Sequence, residues 1–172
     1  MARFPAGYRL EPLRSTHRRA AFRSGQAQVD DWLARSALQA QGKHLSATKV
    51  LVGPADSLAG FYTLATAQVD FKDLPPEIMR QLPRRTLPIA VLAWLGVDQN
   101  HQGHGLGSRL LAQALRDCYE AGQTFAIIAV VLDCIDDSAK AFYGRWGFRE
   151  LPGHTNRLYL SWAELEAMAT GA

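Results

Sequence analysis

The sequence predicts an α/β chain in which short strands alternate with amphipathic helices. Three observations predict it. Apolar runs of strand length, such as Leu87 to Val97 and Phe125 to Leu132, alternate with segments of helical spacing, such as Leu106, Leu110, Leu111, Ala114, Leu115 and Cys118. Glycine and proline punctuate the junctions, and no segment repeats another. The length of 172 residues and the 48% hydrophobic content suit one domain with a proper core, so a single domain over residues 1–172 is expected.

Tyr8 to Leu13 is read as the first strand. Val29 to Leu38 is read as a helix, because Val29, Trp32, Leu33 and Ala37 share a face and the pair Asp30-Asp31 suits a positive first turn. Val50 to Val52 and Leu58 to Ala67 are strands joined by a turn at Gly53-Pro54-Ala55-Asp56. Asp73 to Pro88 is a polar, proline-rich connection with room for a short helix at Pro76 to Leu82. A strand over Ile89 to Val97 leads into a glycine-rich loop. A helix over Gly107 to Ala121, a strand over Phe125 to Leu132, a helix over Ser138 to Trp146 and a strand over Arg157 to Leu160 follow. Ser161-Trp-Ala-Glu164 has the spacing of a capping box and predicts a last short helix.

The loop Gln102-Gly103-His104-Gly105-Leu106-Gly107 is the most informative segment. It lies in a strand-to-helix turn, where free backbone N–H groups and the positive end of a helix dipole make an anion site. Gly105 and Gly107 lack a Cβ and so admit a diphosphate close to the backbone. A P-loop is excluded, because no lysine stands between Lys72 and Lys140. A dinucleotide-binding loop is a stronger rival, with Asp133 ending the next apolar strand as a ribose-binding acid. Its glycine phase is wrong, however, and Ile135 to Ala172 is too little chain for the rest of a doubly wound sheet. The pattern Gln/Arg-x-x-Gly-x-Gly/Ala fits Gln102, Gly105 and Gly107, and here the chain resembles the GNAT acetyltransferases, whose loop holds the pyrophosphate of acetyl-CoA. A glycine-rich turn with no ligand fits the loop by itself.

A second segment weighs against that bland reading. Ala139-Lys-Ala-Phe-Tyr-Gly-Arg-Trp-Gly-Phe148 matches the GNAT pattern Ala-x-x-Phe-Tyr-x-x-x-Gly-Phe at all its fixed positions. Physically, Ser138 or Asp137 can cap a short helix whose residues Ala139, Phe142 and Trp146 share a face. Gly147 suits a left-handed stop. Tyr143 sits beside the apolar stripe with its hydroxyl free to point elsewhere. A Tyr beside a Phe is ordinarily core; the pairing with the glycine loop favours function.

Charge is uneven. Residues 1–90 hold 13 Lys/Arg against 7 Asp/Glu, and residues 91–172 hold 6 against 9. The basic half includes Arg14, Arg18, Arg19, Arg23, Arg35, Lys43, Lys49, Arg84 and Arg85. Charge alone does not separate a polyanionic partner from a solvated basic surface. The opening Met1-Ala-Arg-Phe-Pro has no apolar signal region, and no stretch approaches the ~18 apolar residues that span a membrane. A cytoplasmic location with no membrane contact is expected, with Cys118 and Cys134 as reduced, mostly buried thiols. His101 and His104 lack a second pair of ligands, so no metal is expected.

The resemblance narrows over roughly Tyr8 to Leu165. Phe22-Arg-Ser-Gly25, Val29-Asp-Asp-Trp-Leu33, Gly60-Phe-Tyr-Thr-Leu-Ala65, the connection from Pro83 to Pro88, Leu92-Ala-Trp-Leu-Gly-Val-Asp98 and Leu158-Tyr-Leu-Ser-Trp162 resemble one GNAT branch. That branch is the toxins of type II toxin–antitoxin pairs. It implies a mixed, mostly antiparallel sheet flanked by helices, with two central strands splayed after Leu95 to admit pantetheine. It implies acetylation of the α-amine of aminoacyl-tRNA, a block of translation, and restraint by a ribbon-helix-helix antitoxin; a homodimer is also open. The branch usually has Arg at the position of Trp94, Cys-Gly at Ser24-Gly25 and Asn at Asp136.

The resemblance places acetyl-CoA at Leu95, Gly96 and Val97 and at Gln102, Gly103, His104, Gly105, Leu106, Gly107 and Ser108. Tyr143 is the candidate general acid to the coenzyme A thiolate, and a backbone N–H near Leu95 to Val97 the candidate oxyanion donor. Arg14, Arg18, Arg19, Arg84 and Arg85 are candidates for the tRNA backbone. Thr86 to Val97 contains no acid and no histidine to serve as the base that many GNATs carry there. An amine with a pKa near ~10.4 needs such a base; an α-amine near ~8 is substantially neutral without one. The missing base therefore favours an aminoacyl acceptor over a lysine. A housekeeping GNAT acting on a small amine, an antibiotic or a protein N-terminus is the alternative.

Overall fold

The computed structural model describes residues 2–172. Its strands are β1 (Arg9–Pro12), β2 (Ala47–Val52), β3 (Leu58–Asp70), β4 (Thr86–Val97), β5 (Ala129–Asp133), β6 (Arg149–Glu150) and β7 (Arg157–Ser161). Hydrogen-bonded neighbours follow the order β1-β2-β3-β4-β5-β7-β6. The pairs β1–β2, β2–β3, β5–β7 and β6–β7 are antiparallel, and β4 runs parallel to β5 through Ala90↔Val130 and Val91↔Val131. The mixed, mostly antiparallel sheet expected from the resemblance is present. The helices are α1 (Ala27–Asp31), α2 (Ala37–Gly42), α3 (Pro76–Met79), α4 (Leu106–Gly122), α5 (Asp137–Gly144) and α6 (Trp162–Thr170).

The chain forms two compact units, residues Met1–Ala65 with Leu92–Ala114 and residues Thr66–Val91 with Leu115–Ala172. The boundary falls inside β4 between Val91 and Leu92, ahead of the Leu95 where strands were expected to part. The first unit packs Leu13, Phe22, Val29, Leu33, Ala37, Val50, Val52, Leu58 and Phe61 into one cluster. The second packs Ile89, Ala129, Val131, Leu151 and Tyr159. Val50 and Val52 of β2, and Ala129 and Val131 of β5, take alternate positions, and the residues between them, Leu51 and Val130, are buried as well, so both faces of these strands are covered.

The helix expected over Val29 to Leu38 is longer and not uniform. A π turn at Trp32–Ser36 separates α1 from α2. Its buried residues Val29, Leu33 and Ala37 recur every four positions. At 3.6 residues per turn each such step overshoots by about 40°, and the wider π turn takes up the drift. The side chain of Arg19 donates to the Ala34 carbonyl in this turn at 3.3 Å.

Other boundaries shift for local reasons. The strand expected from Phe125 begins at Ala129 instead. The N–H groups of Thr124 and Phe125 turn back to the Ala121 carbonyl at 3.0 and 2.8 Å, and Phe125 is 78% exposed. An apolar run does not reveal that its first residue closes the end of the preceding helix and that Ala126 to Ile128 are loop. The short strand β6 was not foreseen; two residues carry no period. Asp136, rather than Ser138 or Asp137, caps α5, accepting from the Ala139 N–H at 2.8 Å. The capping box at α6 is present in full, with Ser161 and Glu164 satisfying each other's backbone N–H.

Candidate active site

The glycine loop lies wholly in the first unit, between the end of β4 and the start of α4. It is braced from both sides. Asp98 is buried, and its carboxylate accepts from the N–H of Arg23 at 2.9 Å and of Asn100 at 3.0 Å. The Asp98 N–H donates to Ala59 O at 2.8 Å, and the Gln99 N–H to Arg23 O at 2.7 Å. His101 Nδ1 bonds the Tyr8 hydroxyl at 2.9 Å. Apart from the Asp98–Asn100 bond, which is local, none of these braces is readable from a local motif, because their partners are remote in sequence.

The Gln102 side chain has a different duty from the one its motif position implies. Its amide donates to Ser24 O at 2.8 Å and Val97 O at 2.9 Å. It ties the loop to the strand end and to the Ser24 segment, so the side chain is occupied as a brace.

Three glycines behave in three ways. Gly105 has φ +74°, a left-handed conformation in which a side chain is strained, and a Cβ there would meet open space. Gly107 lies inside α4 at an ordinary helical φ, and a Cβ there would meet only Val97 Cγ2, at 3.7 Å. Neither conformation nor packing requires glycine at Gly107. Gly96 is the reverse case: a Cβ would stand 2.7 Å from Val29 Cγ1 and 3.3 Å from Phe61 Cε1. Its side of β4 is filled by the core, so Gly96 serves packing by its missing side chain.

The first helical bond of α4 runs from the Arg109 N–H to Gly105 O at 3.2 Å. The N–H groups of Leu106, Gly107 and Ser108 precede it and have no acceptor within the helix. No acidic residue occupies the first turn. His104 and Gly103 are exposed beside it, while the Leu106 side chain is buried in the core. Open N–H groups, a positive helix end and a cradle that a Cβ would fill suit a diphosphate. Leu95 and Val97 are half-buried on the α4 side of the strand.

Tyr143 belongs to the second unit, on α5. The helix ends one residue later, and Gly147, at φ +91°, turns the chain back. Phe148 then lays its ring edge-on to Tyr143, with centroids 5.8 Å apart, and the Phe142 ring meets Tyr143 in the same manner at 5.1 Å. The spacing Phe-Tyr-x-x-x-Gly-Phe is thus a packing device that fixes the tyrosine. Burial, with a smaller contribution from Cys134, pushes the Tyr143 hydroxyl well above the usual phenol range. It therefore holds its proton at neutral pH, as a general acid must.

The basic candidates divide. Arg84 and Arg85 are exposed in the second unit, with no side-chain hydrogen bond or ion pair among the described residues. In the first unit, Arg18 is exposed, and Arg14 lies 3.8 Å from Glu11. Arg19 is half-buried and spent on Ala34 O. That bond makes Arg19 a brace of the π turn rather than a free cation. No helix among the described residues is long and apolar enough to cross a membrane. Both cysteines are buried and reduced, and burial pushes the Cys118 thiol up to about 12.

Comparison with known proteins assigns the family. The acetyltransferase (GNAT) domain matches residues 47–150. A tRNA-acetylating toxin of Mycobacterium tuberculosis (strain ATCC 25618 / H37Rv) is 32% identical over 150 residues, covering 86% of this chain and 88% of the toxin. AtaT complexed with acetyl-methionyl-tRNAfMet superposes with a TM-score of 0.86 at 22% identity, over 94% of this chain and 98% of that one. A mutant AtaT toxin bound to the C-terminus of the antitoxin AtaR and acetyl-CoA superposes with a TM-score of 0.80 at 19% identity, over 95% and 99%. With its glycine loop at a helix start and the match over most of its length, this chain belongs to the GNAT acetyltransferases.

Proposed function

We propose that this chain is a single-domain, acetyl-CoA-dependent N-acetyltransferase toxin that acetylates the α-amine of aminoacyl-tRNA in the cytoplasm and so blocks translation. The observation that carries the acceptor is the 32% identity to a tRNA-acetylating toxin across 86% of the chain. The open cradle at Gly105 to Ser108 supports the donor. A ribbon-helix-helix antitoxin is the proposed restraint, in line with the antitoxin-bound relative of the same fold; a homodimer completes the reading.

The residues take these roles. N–H groups of Leu106, Gly107 and Ser108 bind the diphosphate, and Gly103 and His104 flank it. Gln102 holds the loop in shape. Backbone along Leu95, Gly96 and Val97 lines the pantetheine arm and supplies an N–H to the oxyanion. Bound acetyl-CoA supplies the activated acetyl group. Tyr143 returns a proton to the departing sulfur. A phenol above its usual pKa donates uphill to a thiolate whose ordinary value is near ~8.5, unless burial raises the thiol as well, which a water-poor site does.

No base is needed on β4 for an α-amine, and none is there: Thr86–Val97 has neither acid nor histidine. Asp98 is no substitute, since two backbone N–H groups occupy its carboxylate. Exposed Arg18, Arg84 and Arg85, with Arg14, are proposed to meet tRNA phosphates. The test is mass spectrometry of aminoacyl-tRNA after incubation with the protein and acetyl-CoA. A gain of one acetyl group on the aminoacyl end is expected. Unmodified aminoacyl-tRNA, with a small amine acetylated instead, would refute the acceptor.

A further inference from the structure

The face of β4 opposite α4 carries an aromatic wall that the reaction as described does not use. Trp94 stands on β4 directly before Leu95 and stacks on Trp32, with ring centroids 5.5 Å apart and planes 14° apart. Both indoles are half-buried, as is Leu38, and all three pack on the core of the first unit. Trp32 is locked in place: its indole N–H donates to Thr63 Oγ1 at 3.0 Å. Thr63 Oγ1 shares a hydrogen bond with Thr48 Oγ1 at 2.7 Å, and both threonines are buried. A buried polar pair is committed to fixing one indole, a rigidity that a merely space-filling ring does not need.

The position says what the wall meets. Successive residues of a strand point to opposite faces. Val97 faces α4 and the glycine loop, as its contact with Gly107 shows, while Gly96 faces Val29, Phe61 and Phe22. Trp94 shares the face of Gly96. A diphosphate held at the start of α4 brings the acetyl group to the strand from the Val97 side. β4 pairs with β5 at Ala90 and Val91, short of Leu95, so an acetyl group laid along Leu95 to Val97 can be met past the strand edge from the face of Trp94 and Trp32.

We infer that the Trp94–Trp32 stack, with Leu38, is the surface that receives the side chain of the aminoacyl group and selects a large apolar amino acid. This rests on the aminoacyl acceptor proposed above. The wall offers rings and aliphatic carbon; the indole N–H of Trp32 is already taken by Thr63, and the only polar group left on it is the single neutral N–H of Trp94. A charged side chain would lose water there with no partner in return. A glycyl group would leave the rings uncovered.

The experiment measures kcat/KM for acetylation across tRNAs charged with large apolar, glycyl and acidic residues. The parent is expected to prefer the large apolar group over glycyl by about ten- to a hundredfold, the range a hydrophobic pocket gives. Trp94→Ala should erase most of that preference while leaving acetyl-CoA affinity unchanged. Trp94→Phe, which keeps apolar volume and the fold, should erase part of it. Equal use of glycyl and large apolar groups by the parent would overturn the inference whatever the variants do. An equal loss on every substrate in Trp94→Ala would also overturn it, by placing the shared tRNA end on the rings. A parent that acetylates no aminoacyl-tRNA refutes the acceptor reading instead, an outcome distinct from an unselective parent.

Discussion

Gly107→Ala separates what the fold needs from what the cofactor needs. Gly107 is helical, and the added Cβ meets only Val97 Cγ2 at 3.7 Å, an ordinary contact. Replacing glycine by alanine at a compatible site stabilises by about 0.4–1 kcal/mol through the unfolded chain. For a chain of this size, roughly 2–4 °C per kcal/mol raises the unliganded Tm by about 1–4 °C. The same Cβ fills the cradle proposed for the diphosphate. In the parent, acetyl-CoA at a hundred times Kd contributes about 2.7 kcal/mol, or roughly 5–11 °C by the same scale. A tenfold loss of affinity halves that shift, and a hundredfold loss leaves about 0.4 kcal/mol. Differential scanning fluorimetry with and without acetyl-CoA reads both quantities. The expected signature is a higher Tm without ligand and a collapsed shift with it. Gly96→Ala is the control of opposite sign, since its Cβ collides with Val29 at 2.7 Å; overpacking of this kind costs about 1–3 kcal/mol. If Gly107→Ala keeps the parent's ligand shift, the diphosphate does not lie over Gly107.

Two further predictions concern chemistry and charge. Tyr143→Phe keeps the ring packing on Phe142 and Phe148, so folding should survive while turnover falls about 10²–10⁴-fold at near-normal cofactor affinity; normal turnover would remove Tyr143 from the mechanism. Because burial raises the Tyr143 pKa, its protonated form is fully present below the ordinary phenol value near ~10 and is lost only as pH rises through the higher folded value. The rate should therefore climb from about pH 6 through 8 as the acceptor amine loses its proton, and level off by about pH 9 without falling. A fall between those limits that is absent from Tyr143→Phe would contradict this. Arg84→Ala and Arg85→Ala should each flatten the salt dependence of aminoacyl-tRNA use by somewhat under one unit of log–log slope, sparing acetyl-CoA binding. Arg19→Ala should instead lower Tm through the lost bond to Ala34 O, and an unchanged salt slope in all three would leave the basic surface merely solvated.

The sequence by itself determined the order of strands and helices apart from β6, the glycine loop at the start of α4, the α6 cap and the spacing that sets Tyr143 against Phe148. These are local: a 3.6 or 2.0 period, a φ that only glycine adopts freely, a side chain within three residues of an N–H. The tertiary structure decided what each residue is for. Gln102 and Gly96 read as cofactor residues from their motif positions. One spends its amide on Ser24 and Val97, and the other makes room for Val29 and Phe61. Arg19 reads as one cation among many until its bond to Ala34 shows it bracing the π turn. Trp32 reads as one member of a helix face, and Trp94 as a departure from the branch's usual Arg, until the fold stacks the two rings. Apart from Val97 beside Gln102, their partners lie 15 or more residues away, and such a contact leaves no periodicity in the chain that makes it. Only packing brings such residues together, and only then is a side chain's duty fixed by what it touches.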